Sequence, residues 1–244
     1  MTNSQERLLI TGASGKLGEA LSPVFPKALT PSKQVFDVLS KTNVFSFVKK
    51  QRPRAIIHLA ALTDINLCES NKRKAWDVNV VGTLNVVKAC EKYAKDCYFV
   101  FMSSPGVFAG DTGNYNENSI PNPKNFYGIT KLAGELIVNS SSLQTLIIRS
   151  NFIQRNKWPY KKAFSDRYGT YLFVDQLATA IKEVMAKKLT GIVHITSTKK
   201  MSLLEAARII NPHVKSTTMT GYSGAPLSID LSLTSIRWKK YPFG

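Results

Sequence analysis

Acidic residues are scarce in this chain: 16 Asp and Glu stand against 33 Lys and Arg, for a net charge of +17. Histidine is scarcer still, and His58, His194 and His213 are isolated from one another and from any acidic or cysteine cluster, so no metal site is expected. Cys68, Cys90 and Cys97 form no CxxC pair and leave an odd one out, which fits a reducing compartment better than a disulfide framework. No apolar run approaches the length of a bilayer span, and the opening MTNSQERLLITG lacks the basic-then-apolar pattern of a secretion signal. The expectation is a cytoplasmic protein without membrane contact.

The basic excess is spread in short groups, Lys49-Lys50, Lys72-Arg73-Lys74, Lys161-Lys162, Lys187-Lys188, Lys199-Lys200 and Lys239-Lys240. With no long run, these read as solvated faces, or as attraction for small phosphorylated molecules, in preference to a nucleic-acid surface. At 244 residues and 43% hydrophobic content the chain can bury a substantial core, as one large domain or as a domain with a smaller lobe.

Short apolar runs recur at Arg7 to Ile10 (RLLI), Ala55 to Ala60 (AIIHLA), Tyr98 to Met102 (YFVFM), Thr145 to Arg149 (TLIIR) and Gly191 to Thr196 (GIVHIT). Each reads as a buried strand. Helix-like segments lie between or after them: Val44 to Lys50, Ala75 to Tyr93, Tyr127 to Ser140, Val174 to Lys187 and Leu203 to Ile210. Buried strands alternating with amphipathic helices predict an α/β fold, a doubly wound parallel sheet covered on both faces. Pro23 and Pro26 should cut the first helix short near Ser22, and a weak second strand is expected around Lys27 to Thr30. Residues Gln154 to Thr170 and Ser216 to Gly244 lack a clear period and are expected to pack as a small lobe. The expected division is a nucleotide-binding part at 1–152 and a small substrate lobe at 153–244, with about 171–198 returning to the main sheet.

Thr11 to Gly18, TGASGKLG, follows the first strand and opens into a helix. Gly12 permits a tight turn, Gly15 lets the backbone approach a pyrophosphate, and Gly18 allows close helix packing, while the helix N-terminus offers free N-H groups. The spacing departs from GxGxxG, and Lys16 is followed by Leu17 where a Walker loop needs Ser or Thr. Ser14, Lys16 and Leu17 complete the phosphate-facing turn. About 20 residues on, where an NAD site places an acid, the chain reads TPSK. Ser32 and Lys33 suit a 2′-phosphate, which favours NADP(H) and leaves NAD(H) open; Lys33 is equally compatible with a solvated surface.

Tyr127 to Lys131, YGITK, places two residues four apart on one helix face. Alone the pair is weak, because nine tyrosines in so lysine-rich a chain give about one YxxxK by chance. Together with TGASGKLG and YFVFMSS, however, the chain resembles the extended short-chain dehydrogenase/reductases. It is most similar to the dTDP-4-dehydrorhamnose reductase group of nucleotide-sugar 4-ketoreductases. The similarity runs through FDVLS (36–40), HLAALTDINLCES (58–70), VNVVGT (78–83), SSPGVFAG (103–110), YGITKLAGE (127–135) and IIRSN (147–151).

The resemblance implies a Rossmann-type fold and residue roles. Ser104, Tyr127 and Lys131 would form the catalytic triad. Tyr127 would donate a proton, Ser104 would hydrogen-bond the carbonyl, and Lys131 would hold the nicotinamide ribose and lower the tyrosine's pKa. Asp37, with Val38, would contact the adenine, and Ala60, Ala61 and Ser103 would line the cofactor cleft. Asn79 would support the active site from the long helix, with Ser150 and Asn151 near the nicotinamide. A homodimer is a further family-based expectation. The chain departs from the group in the segment after IIRSN, which is trimmed; Arg155, Lys157, Lys161 and Lys162 are offered there only as candidate pyrophosphate contacts. Alternatives to a reductase of a 4-keto sugar nucleotide are a 4-epimerase with the same triad, or a non-catalytic NADP-binding regulatory subunit. Pro105 and Gly106 after Ser104 count against dehydratase chemistry, which places acids there.

Overall fold

The computed structural model describes residues 7–156 and 158–244, so Lys157 lies outside the described residues. The first strand, β1 (Leu8–Thr11), is buried along its length and runs through the glycine turn into α1 (Lys16–Leu21). That helix stops at Ser22, as Pro23 and Pro26 require. The weakly marked second strand narrows to a single parallel bridge, with Leu29 N donating to Leu8 O and Ile10 N to Leu29 O. Pro26 and Pro31 bound it closely and leave few free donors to extend a ladder.

Next comes α2 (Lys41–Gln51), whose first turn is capped by the Ser40 hydroxyl accepting from Asn43 N. It leads to β2 (Ala55–His58), α3 (Ile65–Ser70) and α4 (Lys72–Trp76). One π-helical turn, Asp77–Val81, joins α4 to α5 (Gly82–Tyr93), so the helix expected from Ala75 to Tyr93 exists but carries a bulge in its middle. Then follow β3 (Tyr98–Met102), α6 (Phe126–Asn139) and β4 (Gln144–Arg149).

After β4 the chain leaves the main sheet at Ser150. The remaining elements are β5 (Asn151–Ile153), β6 (Lys162–Phe164), β7 (Tyr168–Phe173), α7 (Val174–Ala186) and β8 (Gly191–His194). They are followed by β9 (Lys200–Ser202), α8 (Leu203–Ile210), β10 (Lys215–Thr217) and β11 (Asp230–Leu231).

The main sheet has the order β1-β2-β3-β4-β8 and every pairing in it is parallel. Helices α1 and α7 bury Leu17, Leu21, Leu177 and Ile181 against one face. Helices α2, α5 and α6 bury Val44, Val48, Val86, Val87 and Val138 against the other. Both faces are therefore covered, which is why the strands read as continuous apolar runs. The five strands expected from the sequence are the five strands of this sheet.

A second sheet, β11-β7-β5 with β9 antiparallel on β7, stands beside it, and β6 pairs with β10. The two-stranded β6–β10 pair and the β7–β11 pairing join the two segments without a clear period: Lys162–Phe164 meets Lys215–Thr217, and Tyr168 meets Asp230. Of the stretch expected to return to the main sheet, α7 and β8 do so, whereas Tyr171–Phe173 belongs to the smaller sheet.

Candidate functional site

A cavity of about 700 Å³ opens at the C-terminal ends of β1 to β4 and is closed on its far side by the smaller sheet. Open α/β sheets bind ligands at this end of their strands. A second hollow, of about 680 Å³, lies between α7 and residues 235–239 and holds none of the sequence-predicted site residues.

The glycine turn forms one wall, with Gly12, Ser14, Gly15, Lys16, Leu17 and Gly18 all facing the cavity. Gly12 has φ +68°, and a Cβ there would sit 2.7 Å from Ala60 N, so both conformation and space demand glycine. Gly18 packs tightly as well, although its close neighbour is the Ala13 backbone of the turn, not the strand. At Gly15 a Cβ would meet only Gly12 O, at 3.3 Å, and no side chain caps the helix that starts there. The turn therefore exposes bare backbone to the cavity, which fits a phosphate group.

Ala60 and Ala61 form the next part of the wall, and Thr11 holds them in place. Its hydroxyl accepts from Leu59 N and Ala60 N and donates to His58 Nδ1 at 2.8 Å. His58 Nε2 then donates to Thr83 Oγ1 at 3.1 Å, because that hydroxyl gives its own proton to Asn79 O. Asn79 continues the chain: its amide clasps both the N-H and the carbonyl of Leu62 and donates to Thr130 Oγ1, which donates to Tyr127 O. A continuous hydrogen-bonded network thus links the loop after β2 to the helix that carries Tyr127.

Burial, reinforced by the nearby Lys131 charge, holds His58 neutral down to about 3. An unfolded chain takes up that proton below about 6.5, so stability is complete above this value and falls as pH drops towards 3, by at most about 1.4 kcal/mol per pH unit. Urea midpoints measured against pH are expected to fall over this window, with a flatter slope in His58→Gln.

Tyr127 is the second residue of α6. Asn125 caps that helix by accepting from Gly128 N and also donates to Pro226 O, while Glu69 accepts from Phe126 N. Gly128 lets the helix start press against the loop after β3, since a Cβ there would lie 2.2 Å from Gly106 O. That close approach brings the phenol to the Ser104 hydroxyl. Ser104 lies two residues past β3, caps the 3-10 turn Pro105–Val107 and accepts from Gly106 N at 3.1 Å.

Ser103, Ser104, Tyr127, Lys131, Ser150 and Asn151 all line the cavity. Burial pushes the Tyr127 phenol up to about 12, opposed by the nearby Ser104 hydroxyl and assisted by Cys68. Lys131 is not among the groups that shift the phenol. The lysine is itself depressed, to about 8, by burial against a partly compensating Glu135. Its Nζ sits 4.2 Å from the centre of the Phe101 ring.

Other expected residues stand elsewhere. Ser32 and Lys33 are exposed in a loop outside the cavity wall, and Asp37 accepts from Leu39 N at the same edge. Val38 is buried under α5, where it packs against Gly82. Arg155 lies over the Phe173 ring and pairs with Asp175, and Lys161 and Lys162 are exposed; none of the three faces the cavity. Among the described residues of the smaller lobe, Arg167, just before β7, does line the cavity, as do Trp158, Tyr160 and Tyr171. These positions carried no sequence signal, because strands of two to six irregular residues show too little period to orient a side chain.

The model of one family, described as RmlD substrate binding domain, matches residues 6–228. The chain belongs to this family. Among relatives of this RmlD-family chain, methionine adenosyltransferase 2 subunit beta of Xenopus tropicalis is 32% identical over 154 residues, 59% of this chain and 46% of that protein. dTDP-4-dehydrorhamnose reductase of Aggregatibacter actinomycetemcomitans is 31% identical over 152 residues, 60% of this chain and 51% of that one. The match thus spans about half the length of these relatives. Among solved structures, dTDP-4-dehydrorhamnose reductase of Bacillus anthracis str. Ames in complex with NADP superposes with a TM-score of 0.88 at 25% identity, covering 97% of this chain and 95% of that one.

Proposed function

We propose that the protein is an NADPH-dependent reductase of a nucleotide-linked 4-keto sugar. The observation that carries this reading is the meeting of Ser104, Tyr127 and Lys131 on one cavity whose opposite wall is the bare-backbone glycine turn. The similarity to dTDP-4-dehydrorhamnose reductases supports the same substrate class.

The glycine turn and the Ala60–Ala61 wall would hold the cofactor, with Lys131 at its ribose, and the nicotinamide would supply a hydride when bound. As negative charge grows on the carbonyl oxygen, Ser104 donates a hydrogen bond and Tyr127 transfers its proton. A phenol near 12 is a reluctant donor to water but a competent one to a developing alkoxide, which is far more basic. Ser150 and Asn151 flank the reacting centre. Arg167, with the Trp158 and Tyr160 rings, makes the substrate end of the cavity, where a cation meets phosphate oxygens and the rings offer flat apolar surface.

The chain divides, in this reading, into a nucleotide-binding part at 1–152 and a substrate lobe at 153–244, from which α7 and β8 return to the main sheet. The protein works in the cytoplasm as a homodimer. Exposed Trp76, Val81 and Leu84 on the α4–α5 rod and Ile129 and Leu136 on α6 give the pairing face.

One experiment separates the alternatives. Thermal stabilisation is measured with NADPH, NADH and several nucleotide sugars, followed by turnover with a dTDP-4-keto-6-deoxy sugar. Selective stabilisation by NADPH and its stoichiometric consumption are expected. Turnover without net consumption would make the protein an epimerase. Tight NADPH binding without turnover would make it a non-catalytic cofactor-binding subunit.

A further inference from the structure

Behind the cavity wall a carboxylate and a guanidinium are buried together. Glu135 sits one helical turn beyond Lys131 on α6 and is 3% exposed. Its Oε1 accepts from Arg149 Nε at 2.8 Å and from the Ser103 hydroxyl, and its Oε2 accepts from Arg149 Nη2 at 2.6 Å. Arg149, from the end of β4, is 1% exposed, leaves Nη1 without a partner among the described residues, and lies 4.9 Å from the centre of the Phe108 ring. Tyr127, Lys131 and Glu135 thus form one stripe at four-residue spacing, and the pair plugs its inner end.

A buried ion pair is a poor way to gain stability alone, since desolvating both charges costs about what their attraction returns. Its place beside Lys131 suggests another use. The titratable groups around that lysine are His58 on β2, Tyr127 on α6 and the pair itself. Burial keeps His58 neutral down to about 3 and Tyr127 up to about 12, so between these limits they contribute no charge. Glu135 is the anion of this shell. Arg149 holds the carboxylate turned away from direct contact, so the lysine remains free to meet a ligand.

We propose that Glu135 is a positioning residue that keeps Lys131 in its ammonium form inside the desolvated site, with Arg149 and Ser103 fixing the carboxylate one helical turn away. The ammonium's use in holding the cofactor ribose rests on the function proposed above; the protonation of Lys131 does not. The effect runs through a low-dielectric interior, where a charge acts over longer distances than in water. Opposing it, burial lowers the lysine, and the balance of the two stands at about 8.

The test titrates the Lys131 side chain in protein carrying 13Cε-labelled lysine, with its signal assigned by loss in Lys131→Met. Glu135→Gln is expected to lower the titration midpoint by about one unit, a tenfold change in acid strength. Because Glu135→Gln leaves Arg149 uncompensated and could unfold the chain, the paired variant Glu135→Leu with Arg149→Met is titrated alongside. It should shift in the same direction by less. A midpoint equal to that of the parent protein in both variants would overturn the proposal. NADPH affinity against pH is the second readout: its loss on the alkaline side should begin at lower pH in Glu135→Gln. If the parent protein binds no NADPH at any pH, the cofactor reading fails while the Lys131 titration still decides this one.

Discussion

Replacing Tyr127 by Phe is expected to reduce kcat by about 10²- to 10⁴-fold, the range by which a positioned general acid accelerates proton transfer. NADPH affinity should be nearly unchanged, because the glycine turn and Lys131 remain. The phenylalanine keeps the ring that fills the space between Ser104 and the start of α6, so the cavity wall is preserved and only the proton is lost. Steady-state kinetics with a dTDP-4-keto-6-deoxy sugar, combined with fluorescence titration of NADPH, measures both quantities. Full activity in Tyr127→Phe would remove the phenol from the chemistry and leave water as the donor. A parallel fall in NADPH affinity would mean that the residue mainly shapes the cofactor site.

Arg149→Met should produce the largest loss of stability. The guanidinium makes two short bonds to Glu135 deep in the protein, and its removal leaves the carboxylate buried with only the Ser103 hydroxyl as a partner. Breaking one side of a buried pair costs about 3–5 kcal/mol. For a chain of this size that is roughly a 10 °C fall in unfolding temperature. Removing both partners, with Glu135→Leu added, is expected to restore most of the loss, because an apolar pair needs no desolvation. Calorimetry on the single and double variants checks this. A double variant no more stable than Arg149→Met would show that packing around the guanidinium, including its contact with Phe108, outweighs the charge.

Both residues were visible in the sequence, but with unequal meaning. YGITK and IIRSN read as motifs, and the resemblance assigned roles to Tyr127, Lys131, Ser150 and Asn151. Glu135 and Arg149 lay inside the same motifs without an assigned role. A fully buried charge looks the same in sequence as a solvated one, since only the packing of β3, β4 and α6 removes it from water.

The main sheet was legible for a related reason. Its strands are buried on both faces, so each had to be a short apolar run, and five such runs gave its five strands. The second strand was marked weakly and exists only as the Leu9–Leu29 bridge. The smaller sheet and the separate β6–β10 pair were not legible: three-residue strands such as β6 and β10 alternate too briefly to carry a period, and their pairing joins segments about fifty residues apart. Arg167 accordingly appeared at the cavity where Arg155, Lys161 and Lys162 had been the candidates.

What the sequence determined alone was the alternation of strand and helix, the glycine turn, and the motifs whose resemblance made Ser104, Tyr127 and Lys131 the candidate triad. Each depends on local pattern or on motif order, which the chain carries in its residues. What only the tertiary structure decided was which side chains share a cavity and which charges are desolvated. Gly128 brings Tyr127 to Ser104, the His58–Asn79 network ties the loop after β2 to α6, and the Glu135–Arg149 pair lies behind Lys131. These are contacts between residues tens of positions apart, and hydrogen bonding, charge and burial acquire their strength only when folding has excluded water from between them.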